Sequence, residues 1–169
     1  MTTPRTMRER LADVSQRGRL VWIGVRPAHG APMIVLDHAI VIAGRGIDGD
    51  RVAAGQGGGR RQVTLVQAEH LPVVAGFLGR APIEPHEVRR NLVVAGINLG
   101  SLHGARFAIG DEVVLVTTGP CAPCAKLDTL VGPGAFQAMR GHGGLTAQVE
   151  HGGRIRLDDE VRVLGPATP

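Results

Sequence analysis

Aromatic residues are nearly absent from this chain, which has three phenylalanines, one tryptophan and no tyrosine in 169 residues. Proteins that bind single-stranded nucleic acid stack the bases on aromatic side chains, so we expect no nucleic-acid partner. The core must be built from aliphatic side chains instead. The 25 glycines and 11 prolines indicate many short strands joined by tight turns. These features predict a mainly β protein.

Long apolar runs are also missing. No stretch approaches the ~18 apolar residues of a membrane-spanning helix, and the N-terminus lacks the charged-then-apolar pattern of a secretory leader. We therefore expect a cytoplasmic protein without a membrane partner. The length fits one domain, and no linker divides it.

Cysteine is scarce as well, with Cys121 and Cys124 as the only two. Two cysteines in a chain of this length do not form a disulfide framework, and in a reducing compartment such a pair is more often redox-active, metal-binding or catalytic. A C-x-x-C pair also supplies two zinc ligands, to which His103, His142 or His151 would have to be added. A small zinc-binding protein therefore remains an alternative.

Positive charge comes almost entirely from arginine, because Lys126 is the only lysine and the net charge is +4. The planar guanidinium group binds phosphate and carboxylate through two hydrogen bonds, which favours an anionic small molecule or cofactor as the partner. A high-GC genome would produce the same bias towards arginine. Both explanations remain open at this point.

Hydrophobic patterns indicate the order of the elements. Helices are predicted over residues 5–17, 67–78 with Pro72 in the first turn, and 132–141; strands are predicted over residues 19–26, 33–42, 61–66 and 92–94. Two similar segments, 106–116 and 154–164, each read as a strand, an acidic turn and a strand. Together these elements predict a closed or nearly closed β-barrel with about three short helices.

The stretch from Gly119 to Asp128 carries the strongest chemical signal, because it contains both cysteines. A thiol acts as a nucleophile or metal ligand only as a thiolate, so a reactive cysteine needs positive potential nearby. Lys126 lies two residues after Cys124. The run from Arg140 to Gly144 adds two basic residues, and its glycines would let backbone N–H groups face an anion.

Several motifs, taken in order, resemble the MOSC domain, which is named for the C-terminal domain of molybdenum-cofactor sulfurase. They are Gly49-Asp50-Arg51, Arg61–Leu65, Arg89–Val94, Phe107–Asp111, Pro120–Cys124, Met139–Gly144 and Asp158-Asp159. The likeness runs from about Gly18 to Leu164. It divides the chain into an N-terminal helical extension (1–17), a MOSC domain (18–165) and a tail (166–169).

The resemblance implies a β-barrel and a role in carrying sulfur as a cysteine persulfide or in holding a molybdenum-pterin cofactor. It suggests a stand-alone member, because 169 residues leave no room for the pyridoxal-phosphate domain of the larger sulfurases. The implied activities are a sulfurtransferase or a component of a molybdenum-cofactor-dependent reductase, with a sulfur-donor or reductase protein as partner. The alternative is a non-catalytic module that binds an anion or the cofactor. Val52 stands where many relatives have histidine, so a role of that histidine does not transfer.

The predicted site centres on Cys124, which matches the family position and is interpreted as the nucleophile or the molybdenum ligand. Cys121 either resolves a persulfide or disulfide on Cys124 or only packs, and His142 is expected to donate a proton or contact an anion. The residues predicted to bind the cofactor are Arg51, Arg61, Arg90, Asn91, Lys126, Arg140, Gly141 and Gly143. If Arg89 and Arg90 lie on a strand, only one of them can face the site. Asn91 is expected either to orient the barrel backbone or to bond a ligand.

Overall fold

The structure is a computed structural model that describes residues 5–167. Within this range the chain forms eleven strands, five short α-helices and one 3₁₀ turn at Leu99–Leu102. The strands are β1 (Gly18–Val25), β2 (Ile34–Leu36), β3 (His38–Ile42), β4 (Gly46–Ile47), β5 (Val63–Gln67), β6 (Leu92–Ala95), β7 (Ala105–Ile109), β8 (Val113–Pro120), β9 (Leu145–His151), β10 (Gly153–Arg156) and β11 (Glu160–Pro166). The helices are α1 (Met7–Ala12), α2 (Arg51–Ala54), α3 (His70–Leu78), α4 (Leu127–Leu130) and α5 (Ala135–Ala138). The predicted mainly β fold is confirmed.

Seven strands close into a barrel. Around it the order is β11-β7-β8-β9-β5-β6-β1, and β1 pairs back onto β11 through Gly18 and Val161. The barrel pairings are antiparallel except that of β5 with β6, which is parallel. A parallel pair needs a long crossover connection, and here the crossover contains α3. The predicted β-barrel is therefore confirmed, and it is closed.

Two hydrophobic cores flank the wall of the barrel. Leu65, Leu92 and Phe107 are buried inside it, whereas Val66 and Val93 face outwards into a second core that also includes side chains of α3, α4 and α5. Successive side chains of a strand point to opposite faces. Both faces of β5 and β6 are therefore covered, which explains why these strands read as continuous apolar runs.

The two similar segments of the sequence pair differently. Residues 106–116 form the antiparallel pair β7 and β8. In the second segment β10 pairs with β3 in a separate three-stranded sheet, while β11 joins the barrel. The chain turns between them at Asp158, whose φ of 71° lies in the left-handed region, and the Asp158 N–H donates to the carbonyl of Leu20 at 2.8 Å.

The N-terminal helix is shorter than predicted. It begins after Thr6, which forms a capping box with Glu9, and ends at Ala12. Met7 and Leu11 are 71% and 72% exposed, so the predicted apolar face is not buried; Val14, beyond the helix, is the residue that packs against the core. Residues 1–4 of the predicted extension and residues 168–169 of the predicted tail lie outside the described residues.

Local sequence patterns predicted two of the other helices, α3 and α5. The predicted helix 67–78 begins later, at His70, because Gln67 still belongs to β5, and Pro72 lies in the first turn as predicted. The helix predicted from Pro133 begins at Ala135, because Gly134 before it has a φ of 86°. Two of the five helices, α2 and α4, were not predicted. No helix among residues 5–167 is long and apolar enough to cross a bilayer.

We expect the barrel interior to dominate stability. Phe107→Ala should lower the free energy of unfolding by about 3–5 kcal/mol, because it removes a large buried side chain and leaves a cavity. Phe107 is 0% exposed and Phe77 is 65% exposed, so Phe77→Ala is the matched control and should change the value by about 0.5 kcal/mol or less. Urea unfolding of both variants measures the difference. Equal losses would contradict the placement of the core.

Candidate functional site

Both cysteines line a cavity of about 280 Å³. Six cationic side chains line it as well: Arg26, Arg51, Arg61, Arg89, Arg90 and Lys126. Val88, Leu127 and Leu130 supply an apolar wall, and none of the lining residues is acidic. The cavity therefore combines two thiols with strong positive potential.

A buried ion pair joins Arg26, which lines this cavity, to Asp50, which does not. Asp50 is 1% exposed and accepts two hydrogen bonds from the Arg26 guanidinium, from Nε at 3.0 Å and from Nη2 at 3.2 Å. It also accepts the backbone N–H groups of Arg26 at 2.9 Å and of Val52 at 3.0 Å, and thereby caps α2. The cap places Arg51, the first residue of α2, at the cavity.

The pKa of Asp50 reflects two opposed influences. Burial is the largest single influence and raises the pKa. The hydrogen bonds from Arg26 and Val52 and the Arg26 charge together lower the pKa by more than burial raises it, so that it lies below the ordinary value of 3.8. Asp50 is therefore ionised at neutral pH. Its charge balances Arg26 and leaves the other five cations without a carboxylate in the cavity wall.

Asn91 joins this ion pair to the barrel. Its Nδ2 donates to Asp50 Oδ2 at 2.8 Å and to the Gly24 carbonyl at 3.1 Å, and its Oδ1 accepts from Arg26 and from Thr64. The side chain is fully buried, and its amide has no donor left for a ligand. Of the two roles expected for Asn91, the structure therefore supports orientation of the backbone.

Arg90 holds the segment that carries Cys121. Arg90 is buried and donates from Nε to the Gly143 carbonyl at 2.9 Å, from Nη1 to the Val88 carbonyl at 2.9 Å and from Nη2 to the Cys121 carbonyl at 3.5 Å. Burial lowers the pKa of Arg90, and negative charge at Cys121 and then at Cys124 opposes this effect. Within residues 5–167 no carboxylate forms an ion pair with Arg90, and its three hydrogen-bond acceptors are all backbone carbonyls.

Gly143 and Gly144 have a structural role that differs from the predicted one. A Cβ atom on Gly143 would overlap the carbonyl oxygen of Cys121, and one on Gly144 would overlap that of Leu65. The Gly144 carbonyl accepts the Cys121 N–H at 2.8 Å. The two glycines thus allow a close approach of backbone segments, and the Gly143 carbonyl, rather than its N–H, is used by Arg90.

The two thiols differ in access and in surroundings. Cys121 is 3% exposed, and Arg61 Nη2 lies 3.8 Å from its Sγ. Cys124 is exposed and lies in the irregular segment between β8 and α4. Lys126 also lies at the cavity, where its Nζ is 3.2 Å from His29 Nε2. Cys124 is therefore the thiol that a partner from solution reaches first.

The cavity brings together six of the predicted site residues: Cys121, Cys124, Arg51, Arg61, Arg90 and Lys126. It does not include Arg140, Gly141 or His142. Arg140 is exposed and donates to Gln137 at 3.2 Å. The roles predicted for these residues remain predictions, but their side chains do not share the cavity of the thiols.

His142 packs against His70 and Phe77. Its ring centroid is 4.7 Å from that of His70, in an edge-to-face arrangement, and 5.8 Å from that of Phe77. Burial lowers the pKa of His70 and the neighbouring His142 lowers it further, whereas Glu69 acts in the opposite direction. His70 and Gly141 line a second cavity of about 260 Å³. The side chains of Arg140 and His142 therefore lie outside the cavity that Cys124 lines, and their predicted effect on Cys124 remains a prediction.

Sequence reasoning missed Arg26 and His29, and of the adjacent candidates Arg89 and Arg90 it assigned only Arg90 to the site. Arg89 and Arg90 do not lie on a strand: Arg89 has a φ of 54°, donates to the Ala31 carbonyl at 2.9 Å, and lines the cavity together with Arg90. The condition under which only one of them could face the site is therefore not met, and both line the cavity. Arg26 directly follows β1, and only its long-range pairing with Asp50 distinguishes it from a surface charge.

The structure gives the zinc alternative no support. Among residues 5–167 no three side chains of cysteine, histidine, aspartate or glutamate come together in a group that could hold a metal ion. Of the three histidines considered as further ligands, none lines the cavity of the cysteines. A structural zinc site normally needs four such ligands.

Comparisons with known proteins show the family through a sequence model and the fold through solved structures. A sequence model of the MOSC domain matches residues 48–162. Comparison with curated protein sequences gives no match. The crystal structure of the YUAD protein from Bacillus subtilis is similar, with a TM-score of 0.77 and 21% identity over 89% of this chain and 98% of that one.

Two further crystal structures share the fold. YiiM from Escherichia coli has a TM-score of 0.67 and 21% identity over 89% of this chain and 72% of that one. YiiM from Geobacillus stearothermophilus has a TM-score of 0.64 and 17% identity over 87% of this chain and 75% of that one. At these identities the likeness establishes the fold alone.

The buried ion pair should make a large contribution to stability. Asp50→Asn should lower the free energy of unfolding at pH 7 by about 3–5 kcal/mol, because it leaves the Arg26 charge without its partner. Since folding lowers the pKa of Asp50, its stabilisation is fully present above the ordinary value of 3.8 and is lost as the pH falls through the lower folded value. The difference between wild type and variant should therefore shrink in that acid range.

Asp158→Asn is the control, because Asp158 forms an exposed ion pair with Arg19. It should change the free energy of unfolding by about 0.5 kcal/mol or less. Urea unfolding at pH 7 and at lower pH measures both variants. If Asp50→Asn proved as stable as Asp158→Asn, the ion pair would not hold this side of the cavity together.

Proposed function

The chain belongs to the MOSC domain family, and from this premise we propose that it is a sulfur carrier, in which Cys124 accepts a sulfane sulfur and holds it as a persulfide. The observation that carries the proposal is the place of Cys124: an exposed thiol that lines a cavity with six cationic and no acidic side chains. Positive potential stabilises both the attacking thiolate and the persulfide anion that it becomes.

The transfer is a displacement at sulfur. The Cys124 thiolate forms a bond to the terminal sulfur of a donor persulfide, the S–S bond of the donor breaks, and its electron pair leaves with the donor thiolate. One S–S bond replaces another, so the step needs no external oxidant or reductant. Because Cys124 is exposed, the donor can be the persulfide of another protein, and the activity is that of a sulfurtransferase.

The cavity residues have distinct parts in this function. Arg26 is already paired with Asp50, so the potential comes from the other five cations. Arg61 lies beside the Cys121 sulfur, and Lys126 and His29 lie at the same cavity. These groups attract an anionic donor and keep the sulfur on Cys124 in its anionic form.

A molybdenum-pterin cofactor is the second candidate, and the number of cations favours it, because a single persulfide does not require five. The residues fit the group in chemical type: thiolate sulfur is a soft ligand for a transition metal, and guanidinium groups bind phosphate. Cys124 would ligate the metal, and Arg51, Arg61 and Lys126 would hold the phosphate. When bound, the cofactor would supply redox chemistry to a reductase system.

The sulfur-carrier proposal predicts that Cys124 takes up sulfur. Wild-type protein incubated with inorganic polysulfide and then freed of excess reagent should be heavier by sulfur atoms in intact-mass spectra, and Cys124→Ser should not. Iodoacetamide should also alkylate Cys124 at least about tenfold faster than Cys121, because reactivity follows access as well as ionisation. Cys121→Ser is the control and should still take up sulfur. Equal uptake by Cys124→Ser would refute the proposal.

The cofactor candidate predicts that the cavity binds a phosphorylated pterin. Arg51→Ala should weaken binding of a pterin phosphate about tenfold, since it removes a charge-assisted contact, while leaving the melting temperature almost unchanged. Arg140→Ala should have little effect, because its side chain lies outside the cavity. Fluorescence titration of the pterin measures both variants. A loss in Arg140→Ala but not in Arg51→Ala would contradict binding in the cavity and would instead support the phosphate contact that the sequence predicts for Arg140.

A further inference from the structure

Cys121 is held in a fixed place beside Cys124. Its N–H donates to the Gly144 carbonyl at 2.8 Å, its carbonyl accepts from Arg90 at 3.5 Å, and its side chain is 3% exposed. By contrast, Cys124 is exposed and belongs to neither a strand nor a helix. One thiol of the pair is therefore anchored to the barrel, and the other lies on a segment without regular hydrogen bonding.

The groups around Cys121 are as typical of a reactive thiol as of a buried cysteine that only packs. Arg61 Nη2 lies 3.8 Å from Cys121 Sγ, and the buried Arg90 guanidinium forms no ion pair with a carboxylate among residues 5–167. A cysteine that only packs has no need of two guanidinium groups. Both would stabilise negative charge on Cys121.

Both thiols are free and line the same cavity. The two residues between them include Pro123, and the segment from Cys121 to Cys124 is irregular, between the end of β8 and the start of α4. The C-x-x-C spacing is that of dithiols that cycle between reduced and disulfide forms. Small molecules can leave through the cavity, whereas a protein donor has direct access only to Cys124.

We propose that Cys121 is the resolving thiol of this site, which releases the sulfur carried on Cys124 as hydrosulfide and leaves a Cys121–Cys124 disulfide. This inference rests on the proposed function, because it requires a persulfide on Cys124. It assigns to Cys121 a role in the reaction rather than in packing. It also defines the product as inorganic sulfide.

The step balances without an added oxidant. The Cys121 thiolate forms a bond to Cys124 Sγ, the bond between Cys124 Sγ and the terminal sulfur breaks, and its electron pair leaves on that sulfur. The terminal sulfur is reduced to the sulfide level while the two cysteine sulfurs are oxidised to a disulfide. The proton that Cys121 loses is balanced by the one that the leaving sulfide takes up. A dithiol reductant then restores both thiols for another cycle.

Arg61 is a positioning residue in this scheme, because its guanidinium lies next to the attacking sulfur. Arg61→Ala should slow sulfide release about tenfold, and Arg61→Lys should restore part of the rate because it keeps the charge. Arg60 is the matched control: it precedes Arg61, bonds the Thr118 carbonyl and does not line the cavity. Arg60→Ala should leave the rate unchanged. A rate that Arg61→Ala leaves unchanged would overturn this role.

The test loads wild type, Cys121→Ser and Cys121→Ala with inorganic polysulfide in the absence of reductant, and then follows released sulfide and intact mass. Freshly loaded wild type should first be heavier by the added sulfur; as it then releases sulfide, it should become lighter than the reduced protein by two hydrogen atoms, the mass of a disulfide. Both Cys121 variants should keep the added sulfur, and a dithiol should then release sulfide from them. The two replacements differ in polarity, so an effect shared by both does not come from misfolding of one.

The outcomes separate the two proposals. If wild type and the Cys121 variants keep the persulfide equally, the resolving role of Cys121 is wrong while the sulfur-carrier function of Cys124 stands. If Cys124→Ser takes up sulfur as readily as wild type, the sulfur-carrier function itself is wrong. Sulfide release with disulfide formation in wild type alone supports both.

Discussion

The ion pair between Arg26 and Asp50 is the contact on which the site depends. Burying two charges costs free energy, and the cost is offset only when every remaining hydrogen-bonding group finds a partner. Asn91 and the backbone amides of Arg26 and Val52 meet this condition. With Asp50 engaged there, the cavity has no carboxylate of its own, and its other cations are left to face the thiols and whatever anion enters.

Most of the fold could be predicted from local pattern, because β-branched runs, glycine turns and one periodic helix mark its elements. What could not be predicted depended on distant partners. The segment 154–164 contains two strands as expected, but nothing within it indicates that β10 pairs with β3 rather than with β11. Helix α4 has only four residues, too few to show a period, and it is held by packing against α5 rather than by its own propensity.

The site could be predicted only in part, because local motifs indicate some of its residues whereas contacts between distant residues determine the others. Arg51, Arg61, Arg90 and Lys126 lie within or beside recognisable motifs, and the cavity collects them. The Gly143-Gly144 pair has the composition of an anion-binding turn, yet its lack of side chains serves the close approach of Cys121 and Leu65. A sequence does not show whether a glycine is required for close packing or for binding a ligand, because only the neighbouring atoms in the structure distinguish the two roles.

The closure of the barrel has a consequence for how the protein forms in the cell. Gly18 of β1 pairs with Val161 of β11, so the ring of strands joins segments from near the two ends of the described chain. Contacts that are this distant in sequence carry a large loop-closure cost and slow folding. While the ribosome still holds β11, the emerging strands β1 and β7 each lack a neighbour and expose an open edge. Such open strand edges can pair with other chains. The risk ends only when β11 is released and pairs with both β1 and β7.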